Sequence, residues 1–156
     1  MISIAIPGFG DLQLVDLVCD FNGSLAQDGH LLPGAREALA ALAADLRVHV
    51  VTADTHGDVA REMKPLPASL HVIAPTGQAA AKRAYVEALG AEGVVALGNG
   101  RNDREMLAIA ALGIAVLQGE GAAPDALASA DVVIPTAVHA LELLLHPLRL
   151  VATLRD

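Results

Sequence analysis

Residues 14–25 read LVDLVCDFNGSL, and this stretch decides the fold. Its first half, LVDLVCD, is a nearly continuous apolar run that ends in the carboxylate of Asp20, and its second half is a small polar loop. Apolar runs of this kind are typical of strands that are buried on both faces of a parallel sheet. We therefore expect Asp20 at the carboxyl end of such a strand, where these sheets place their ligand sites.

The rest of the chain repeats this alternation of short apolar strands and helices. Further strands are predicted at RVHVVTA, HVIA, VVALG, GIAVL and DVVIP. Helices are predicted over residues 33–44, 55–63, 78–89, 102–110, 124–128 and 137–145. The pattern predicts an α/β fold of three layers, in which a doubly wound and mainly parallel sheet is covered by helices on both faces. Ahead of it, alternating isoleucines, the turn PGFGD and a second strand over 12–20 predict an N-terminal β-hairpin.

The composition indicates one domain with an aliphatic core. The chain has 156 residues, and its loops are short, so we expect a single domain over 1–156. Hydrophobic residues make up 54% of the chain, yet Phe9, Phe21 and Tyr85 are its whole set of aromatic residues. A surplus of apolar residues in so small a domain predicts that some of them cover a subunit interface, and hence a homo-oligomer.

Charge, cysteine content and hydropathy exclude several classes of protein. The formal net charge of −8 disfavours nucleic acid as a partner, because such affinity comes from neutralising phosphates. No apolar run reaches the roughly 18 uninterrupted residues of a membrane span, so we expect no membrane partner. The single cysteine, Cys19, fits a reducing cytoplasm.

Asp20 and the loop after it are the first candidate site. A carboxylate at a strand end suits a nucleophile, and Gly23 lets the backbone turn close to a ligand. Free backbone N–H groups and the Ser24 hydroxyl can bind phosphate oxygens. The alternative is an ordinary turn in which Asp20 and Asn22 serve as turn formers.

Thr52 and Lys82 are the next two candidates. Thr52 ends the strand RVHVVTA, where its hydroxyl can bind a phosphate oxygen or, alternatively, cap a helix that starts near residue 55. Lys82 is one of two lysines and lies near the start of a predicted helix, at the same edge of the sheet. A cation there can neutralise a nucleophile and a transferring phosphoryl group, whereas a solvated surface lysine is the alternative.

The loop GNGRND, residues 98–103, is the fourth candidate. Asn99 and Asp103 supply the oxygen donors that Mg²⁺ prefers. Capping of the following helix by Asn102 is the alternative. The loop is also similar to a dinucleotide fingerprint, but Asp103 stands in place of the third glycine and would repel a pyrophosphate.

The order of these four pieces resembles the haloacid dehalogenase (HAD) superfamily. Its pattern is a strand-end D-x-x-G-[ST]-L, then a threonine, then a lysine, then G-[DN]-G-x-N-D. The last motif is most similar to the phosphorylation domain of P-type ATPases and to small soluble hydrolases that resemble that domain. The resemblance extends over residues 14–133, and DFNGSLAQDG and ALGNGRNDREML are its most specific parts.

The resemblance implies a role for each matching residue. Asp20 would attack phosphorus and form an aspartyl phosphate, with Asn22, Thr52 and Lys82 as the other catalytic positions. The phosphate-binding positions would be Gly23, Ser24, Thr52, Ala53, Lys82 and Asn102. The ligands of a Mg²⁺ cofactor would be Asp20, Asn22 through its backbone carbonyl, Asn99 and Asp103.

Two positions depart from the family pattern. Asn22 stands where typical phosphatases of the family have an aspartate that serves as general acid and base, so a slow enzyme is predicted. Asn99 stands where many relatives have an aspartate, which removes one negative charge from the metal site. The spacings are also too short for the cap domain that the family usually inserts.

These observations favour a capless, Mg²⁺-dependent phosphatase that acts on a small phosphorylated substrate. Two alternatives stay open. One is an ATP hydrolase, suggested only by the likeness to P-type ATPases. The other is a catalytically silent binding or regulatory module, and Asn22 and Asn99 are the residues that favour it.

Overall fold

The computed structural model describes residues 1–54 and 58–156. Its strands are β1 (Ile2–Ile6), β2 (Gly10–Leu14), β3 (Asp16–Cys19), β4 (Ala26–Gln27), β5 (His30–Leu31), β6 (Arg47–Thr52), β7 (Ala68–Val72), β8 (Val94–Gly98), β9 (Leu112–Val116) and β10 (Val132–Ile134). Its helices are α1 (Ala35–Leu42), α2 (Asp58–Met63), α3 (Gln78–Leu89), α4 (Arg104–Ile109), α5 (Pro124–Ser129), α6 (Ala137–Leu145) and α7 (Leu148–Leu154).

Six strands form the main sheet in the order β10-β9-β8-β3-β6-β7, and every neighbouring pair in it is parallel. Strand β3 lies inside the sheet, with Leu17 paired to Val48 of β6 on one side and to Val95 of β8 on the other. The chain therefore winds outward from β3 in both directions. The predicted doubly wound α/β fold is confirmed, and β3 stands at the switch point where such sheets bind ligands.

The two faces of the sheet bury separate hydrophobic cores. Alternate strand residues point to opposite faces, so Leu17 packs in the core with α1 and α6, whereas Val18 packs in the core with α3, α4 and α5. All four residues of β3 and all five of β8 are buried. Covering both faces explains why β8, and β3 apart from Asp16 at its start, are apolar rather than alternating.

The predicted N-terminal hairpin is confirmed, but its second strand is shorter than expected. The predicted strand over 12–20 divides at Val15, so that β2 pairs with β1 while β3 joins the main sheet. Val15 itself donates a hydrogen bond to Gly93 O (2.8 Å) and accepts one from Arg47 N (2.9 Å). The sequence LQLVDLVCD crosses this junction with no glycine, proline or other turn signal to mark it.

Other element boundaries differ more modestly from the predictions. Strands β8, β9 and β10 and helices α3, α5 and α6 form where they were predicted or within one residue, and β7 starts three residues before HVIA. The helix predicted over 55–63 is observed as α2, and its residues 55–57 lie outside the described part of the chain. The short strands β4 and β5 and helix α7 were not predicted, because segments this short carry little periodicity.

Among the described residues, no single helix is long and apolar enough to cross a membrane. Helices α6 and α7 together reach the length and apolar composition of a membrane span, but they meet at a bend of 107°.

A buried polar network ties α3 to the opposite, amino-terminal side of the sheet. Asp16 is fully buried and accepts two hydrogen bonds of 2.7 Å from the Arg47 guanidinium. Its carboxylate also lies 2.9 Å from His49 Nε2, and His49 Nδ1 lies 2.9 Å from the Tyr85 hydroxyl. Tyr85 belongs to α3, so this chain of contacts fixes the helix against β3 and β6.

We predict that Asp16→Asn lowers the free energy of unfolding by about 2–3 kcal/mol. The amide has no negative charge to pair with the Arg47 guanidinium, and it offers one acceptor oxygen to Arg47 and His49 instead of two. Asp125→Asn is the matched control. It removes the negative charge of an exposed aspartate that pairs with Arg101 at 3.1 Å, and it should cost less than about 1 kcal/mol. Urea denaturation at neutral pH measures both values. Equal losses in the two variants would contradict the assigned role of Asp16.

The stabilisation by Asp16 should also depend on pH. Burial alone would raise the pKa of Asp16, but the hydrogen bonds from Arg47 and His49 outweigh it and hold the pKa below its usual 3.8. A carboxyl with a lowered pKa stabilises the fold above its unfolded-state value. The stability difference between the wild type and Asp16→Asn should therefore persist above pH 3.8 and shrink as the pH falls through the lowered pKa.

Candidate active site

Three adjacent strands deliver the candidate site residues to one edge of the sheet. Asp20 follows β3, Thr52 ends β6, and Asn99 follows β8. Because β3 lies between β6 and β8 and all three run in parallel, their carboxyl ends meet. A pocket of about 290 Å³ opens there, and residues from all three strand ends line it.

Asp20 is held rigidly at the floor of this pocket. Its backbone N–H bonds to Leu97 O of β8 (2.9 Å), and its side chain is 9% exposed. The following loop turns back at Gly23, which has a φ of 78° and bonds through its N–H to Ala26 O (2.9 Å). Phe21 is fully buried and anchors the loop in the core, and this packing fixes the position of the neighbouring Asp20.

Lys82 lies beneath the pocket and joins two carboxylates. Its side chain is fully buried, and its Nζ donates to Asp20 Oδ1 (2.6 Å) and to Asp103 Oδ1 (2.5 Å). Burial alone would lower the pKa of Lys82, but the charges of Asp20 and Asp103 outweigh it, so the pKa is raised and the ammonium stays charged. The solvated surface lysine considered from the sequence is thereby excluded.

The ionisation of Asp20 reflects a competition among its neighbours. The pKa of Asp20 is raised to about 7, because burial and the negative charge of Asp103 outweigh the opposing effects of Lys82 and the Ser24 hydroxyl. Near neutral pH the Asp20 carboxyl group is therefore close to the midpoint between its protonated and ionised forms, and any further positive charge in the pocket favours the ionised form. A nucleophilic carboxylate requires that form.

Asp103 is an internal partner of this arrangement rather than part of the pocket wall. It is fully buried, and its Oδ2 accepts hydrogen bonds from Asn99 N (3.0 Å) and Gly100 N (2.8 Å), while its Oδ1 bonds to Lys82. A Cβ atom on Gly98 would lie 2.5 Å from Asp103 Cγ, so only glycine leaves room for the carboxylate. Asp103 thus fixes both the loop and the ammonium.

Thr52 borders the pocket on the β6 side. Its hydroxyl accepts a hydrogen bond of 3.3 Å from the N–H of Asp54, which has a positive φ of 27°. Ala53 and Asp54, which follow Thr52 beyond the end of β6, also line the pocket. The alternative role, a cap on a helix starting near residue 55, lies outside the described residues.

Six of the ten predicted site residues line the pocket: Asp20, Asn22, Thr52, Ala53, Asn99 and Asn102. Four lie behind the wall: Gly23, Ser24, Lys82 and Asp103. Ser24 is fully buried, and its hydroxyl donates to Asn99 Oδ1 (3.2 Å), so it orients that amide. Asn102 does not cap its helix with its side chain, which instead donates to Gln78 Oε1 (2.7 Å) across the pocket rim.

Sequence reasoning did not single out Gln78 as a site residue. Gln78 is the first residue of α3 and precedes Lys82 by four positions, which puts both on one face of the helix. That spacing is the signal that could have found it. Glu120 follows β9, and its place at a strand end was compatible with either the site or a plain turn; the structure puts it in the pocket wall.

The donor atoms around Asp20 suit a hard cation. The acidic and amide groups of the wall present oxygen donors, from Asp20, Asn99 and Glu120, and Mg²⁺ prefers such donors. Within residues 1–54 and 58–156 no three acidic, histidine or cysteine side chains converge as a ready metal site. A cation here would therefore rely partly on amide and backbone oxygens, and the residues present fit that requirement.

One known protein is similar in sequence to part of the chain. No protein-family model matches the chain. A protein from Methanocaldococcus jannaschii, MJ0073, described as uncharacterized, is 46% identical over 63 residues, which cover 40% of this chain and 68% of that protein.

Solved structures resemble the chain over most of its length. One is assigned to the HAD superfamily, subfamily III A, from Legionella pneumophila, with a TM-score of 0.72 and 18% identity over 91% of this chain and 87% of that one. Another is 3-deoxy-D-manno-octulosonate 8-phosphate phosphatase from Moraxella catarrhalis in complex with magnesium, phosphate and KDO, with a TM-score of 0.71 and 18% identity over 86% and 87% of the two chains. The cobalt-bound form of that phosphatase from Haemophilus influenzae has a TM-score of 0.71 and 17% identity over 86% and 88%.

The HAD resemblance is thereby confirmed at the level of the fold, whereas the narrower likeness to P-type ATPases stays a prediction. The chain belongs to the same family as MJ0073, and its fold is that of the HAD superfamily.

Proposed function

We propose that the chain is a Mg²⁺-dependent phosphohydrolase in which Asp20 is the nucleophile. The observation that carries this proposal is the buried Lys82 ammonium, which joins Asp20 to Asp103 directly below an open pocket. A charge buried this deeply is costly unless it is paired, so an arrangement of this kind favours a functional role over an ordinary surface contact.

In the proposed reaction, a carboxylate oxygen of Asp20 attacks the phosphorus atom of a phosphate ester. A new O–P bond forms, the bond between phosphorus and the ester oxygen breaks, and that oxygen leaves with the electron pair as an alkoxide or aryl oxide, which takes a proton from water. Water then attacks the aspartyl phosphate, which releases inorganic phosphate and restores the carboxylate. Phosphoryl transfer depends mainly on alignment and charge neutralisation, and the rigid loop around Asp20 provides the alignment.

Several residues would stabilise the phosphoryl oxygens. The Lys82 ammonium would neutralise negative charge from below, and Thr52 and Ala53, which line the pocket on the β6 side, would offer a hydroxyl and a backbone N–H to the phosphate. We assign the metal position to Asp20, the Asn22 carbonyl and Asn99, with Asp103 contributing its charge from beneath. Bound Mg²⁺ would supply further positive charge against the phosphate oxygens.

The size of the open space favours a small phosphorylated substrate. The pocket of about 290 Å³ continues across Gln78 and Asn102 into a groove of about 510 Å³. No cap is proposed over this space, because only the short β4–β5 hairpin separates Asp20 from α1. We propose instead that a second copy of the chain completes the site. The phosphatase structures with magnesium, phosphate or cobalt support a phosphatase with a divalent cation.

We predict that Asp20→Asn lowers phosphate release by at least about 10³-fold, because the amide keeps the shape but is not a nucleophile. The assay uses purified protein, Mg²⁺ and an aryl phosphate, and a screen of sugar phosphates and nucleotides extends it. Asp11→Asn, an exposed aspartate of the hairpin, is the control and should keep wild-type turnover. Near wild-type turnover by Asp20→Asn would show that the nucleophile is another group.

Asn22 predicts a second kinetic property. An aryl oxide leaves without much help from an acid, but an alkyl oxide needs a proton that Asn22 cannot deliver. The aspartyl phosphate should also persist, because Asn22 cannot act as a base toward water. We therefore expect slow turnover of alkyl phosphates and a burst of product with aryl phosphates.

Asn22→Asp should increase the turnover of an alkyl phosphate by up to about 10²-fold and remove the burst. Asn22→Thr is the matched control, since it introduces a small polar group that does not ionise, and it should change neither property. Stopped-flow kinetics on one alkyl and one aryl ester measure both. If neither the wild type nor Asn22→Asp turns over either ester while Mg²⁺ still binds, the chain is a catalytically silent HAD-fold module instead.

A further inference from the structure

The loop after β8, GNGRND, does not supply the second carboxylate that its sequence predicts for the cation site. In the loop after β8, Asn99 is neutral, and Asp103 is fully buried with its oxygens bonded to Lys82, Asn99 N and Gly100 N. Of Asp20, Asn99 and Asp103, Asp20 is thus the one acidic side chain that lines the pocket. Its charge is shared, because one ammonium balances two carboxylates and leaves a single negative charge.

A different acidic residue reaches the same side of the pocket. Glu120 lies in the loop after β9, which is the strand next to β8. A Cβ atom built on Gly23 would lie 2.7 Å from Glu120 Oε2, 2.7 Å from Asn99 Nδ2 and 2.9 Å from Asn99 Oδ1. The Glu120 carboxylate and the Asn99 amide therefore both lie against Gly23, which belongs to the loop that follows Asp20.

Hydrogen bonds on both sides of Glu120 hold its loop in place. Gln118, which has a positive φ of 46°, donates through its side chain to Gly23 O (2.9 Å) and to Ser24 O, and it accepts from Ala137 N (3.0 Å). On the other side, Asn99 Nδ2 donates to Gly121 O (2.9 Å). These contacts hold the backbone of Glu120 against both the Asp20 loop and the Asn99 loop before any ligand binds.

We infer that Glu120 supplies the second carboxylate of the Mg²⁺ site and compensates for the neutral Asn99. Asp20, Asp103 and Glu120 together with Lys82 carry a net charge of −2, which balances the charge of one Mg²⁺ ion. Asp54, the other acidic residue of the wall, follows β6 on the far side of β3 from β8 and β9 and is less well placed. The inference rests on the proposed function for the identity of the cation.

Isothermal titration calorimetry with Mg²⁺ alone tests this inference without any substrate. Glu120→Gln should weaken Mg²⁺ binding by at least about tenfold, since it removes a charged ligand. Glu142→Gln is the matched control: Glu142 lies on α6 and pairs with Arg149 outside the pocket, so its loss should change the affinity by less than about twofold. Adding Asn99→Asp to Glu120→Gln should restore most of the lost affinity.

Two results would overturn the inference. One is Mg²⁺ affinity in Glu120→Gln equal to that of the wild type, with circular dichroism showing that both are folded. The other is the absence of measurable Mg²⁺ binding by the wild type. Phosphate release from an aryl ester, measured on the same samples, reports separately on the proposed function. If Mg²⁺ binds as expected and no ester is hydrolysed, the proposed function fails while the role of Glu120 stands.

Discussion

The buried ammonium of Lys82 is the interaction on which the rest of this site depends. It lies within 2.6 Å of Asp20 Oδ1 and 2.5 Å of Asp103 Oδ1, out of contact with water. Without it, two carboxylates would face each other in a medium that strongly disfavours both charges. Its presence lets Asp20 approach the ionised form while remaining largely shielded. The neighbourhood follows from this: Gly98 leaves room for Asp103, and the Asp103 carboxylate in turn fixes the loop that borders the pocket.

The fold provides that interaction by bringing distant parts of the chain to one edge. Asp20 and Asp103 come from neighbouring strands β3 and β8, whereas Lys82 comes from α3, which covers one face of the sheet. The rotation of α3 is fixed from the other end of the sheet as well, because Tyr85 lies one helical turn after Lys82 and contacts His49. The polar network around Asp16 thus supports the site from a distance, through the rigidity of a packed helix.

Much of this could be predicted from the sequence, because the strongest signals are local. The apolar runs of β3 and β8 and the period of α3 predict the sheet and its flanking helices, and strand-end polar residues mark the edge of the site. What the sequence did not show depends on side-chain direction. Nothing in GNGRND indicates that Asp103 turns inward to Lys82, and GEG around Glu120 has the composition of a simple turn. Val15 likewise separates the hairpin strand β2 from β3 of the main sheet, and the sequence LVDLV around it carries no turn signal.

The central claim is that Asp20 becomes covalently phosphorylated. The most direct measurement is to incubate the protein with Mg²⁺ and an aryl phosphate labelled on phosphorus, quench it in acid, digest it and locate the label by mass spectrometry. Because Asn22 provides no base for hydrolysis, the account predicts that the label accumulates on the peptide containing DFNGSL, on the carboxylate of Asp20. Label on any other residue, or steady release of phosphate with no labelled peptide, would contradict the account.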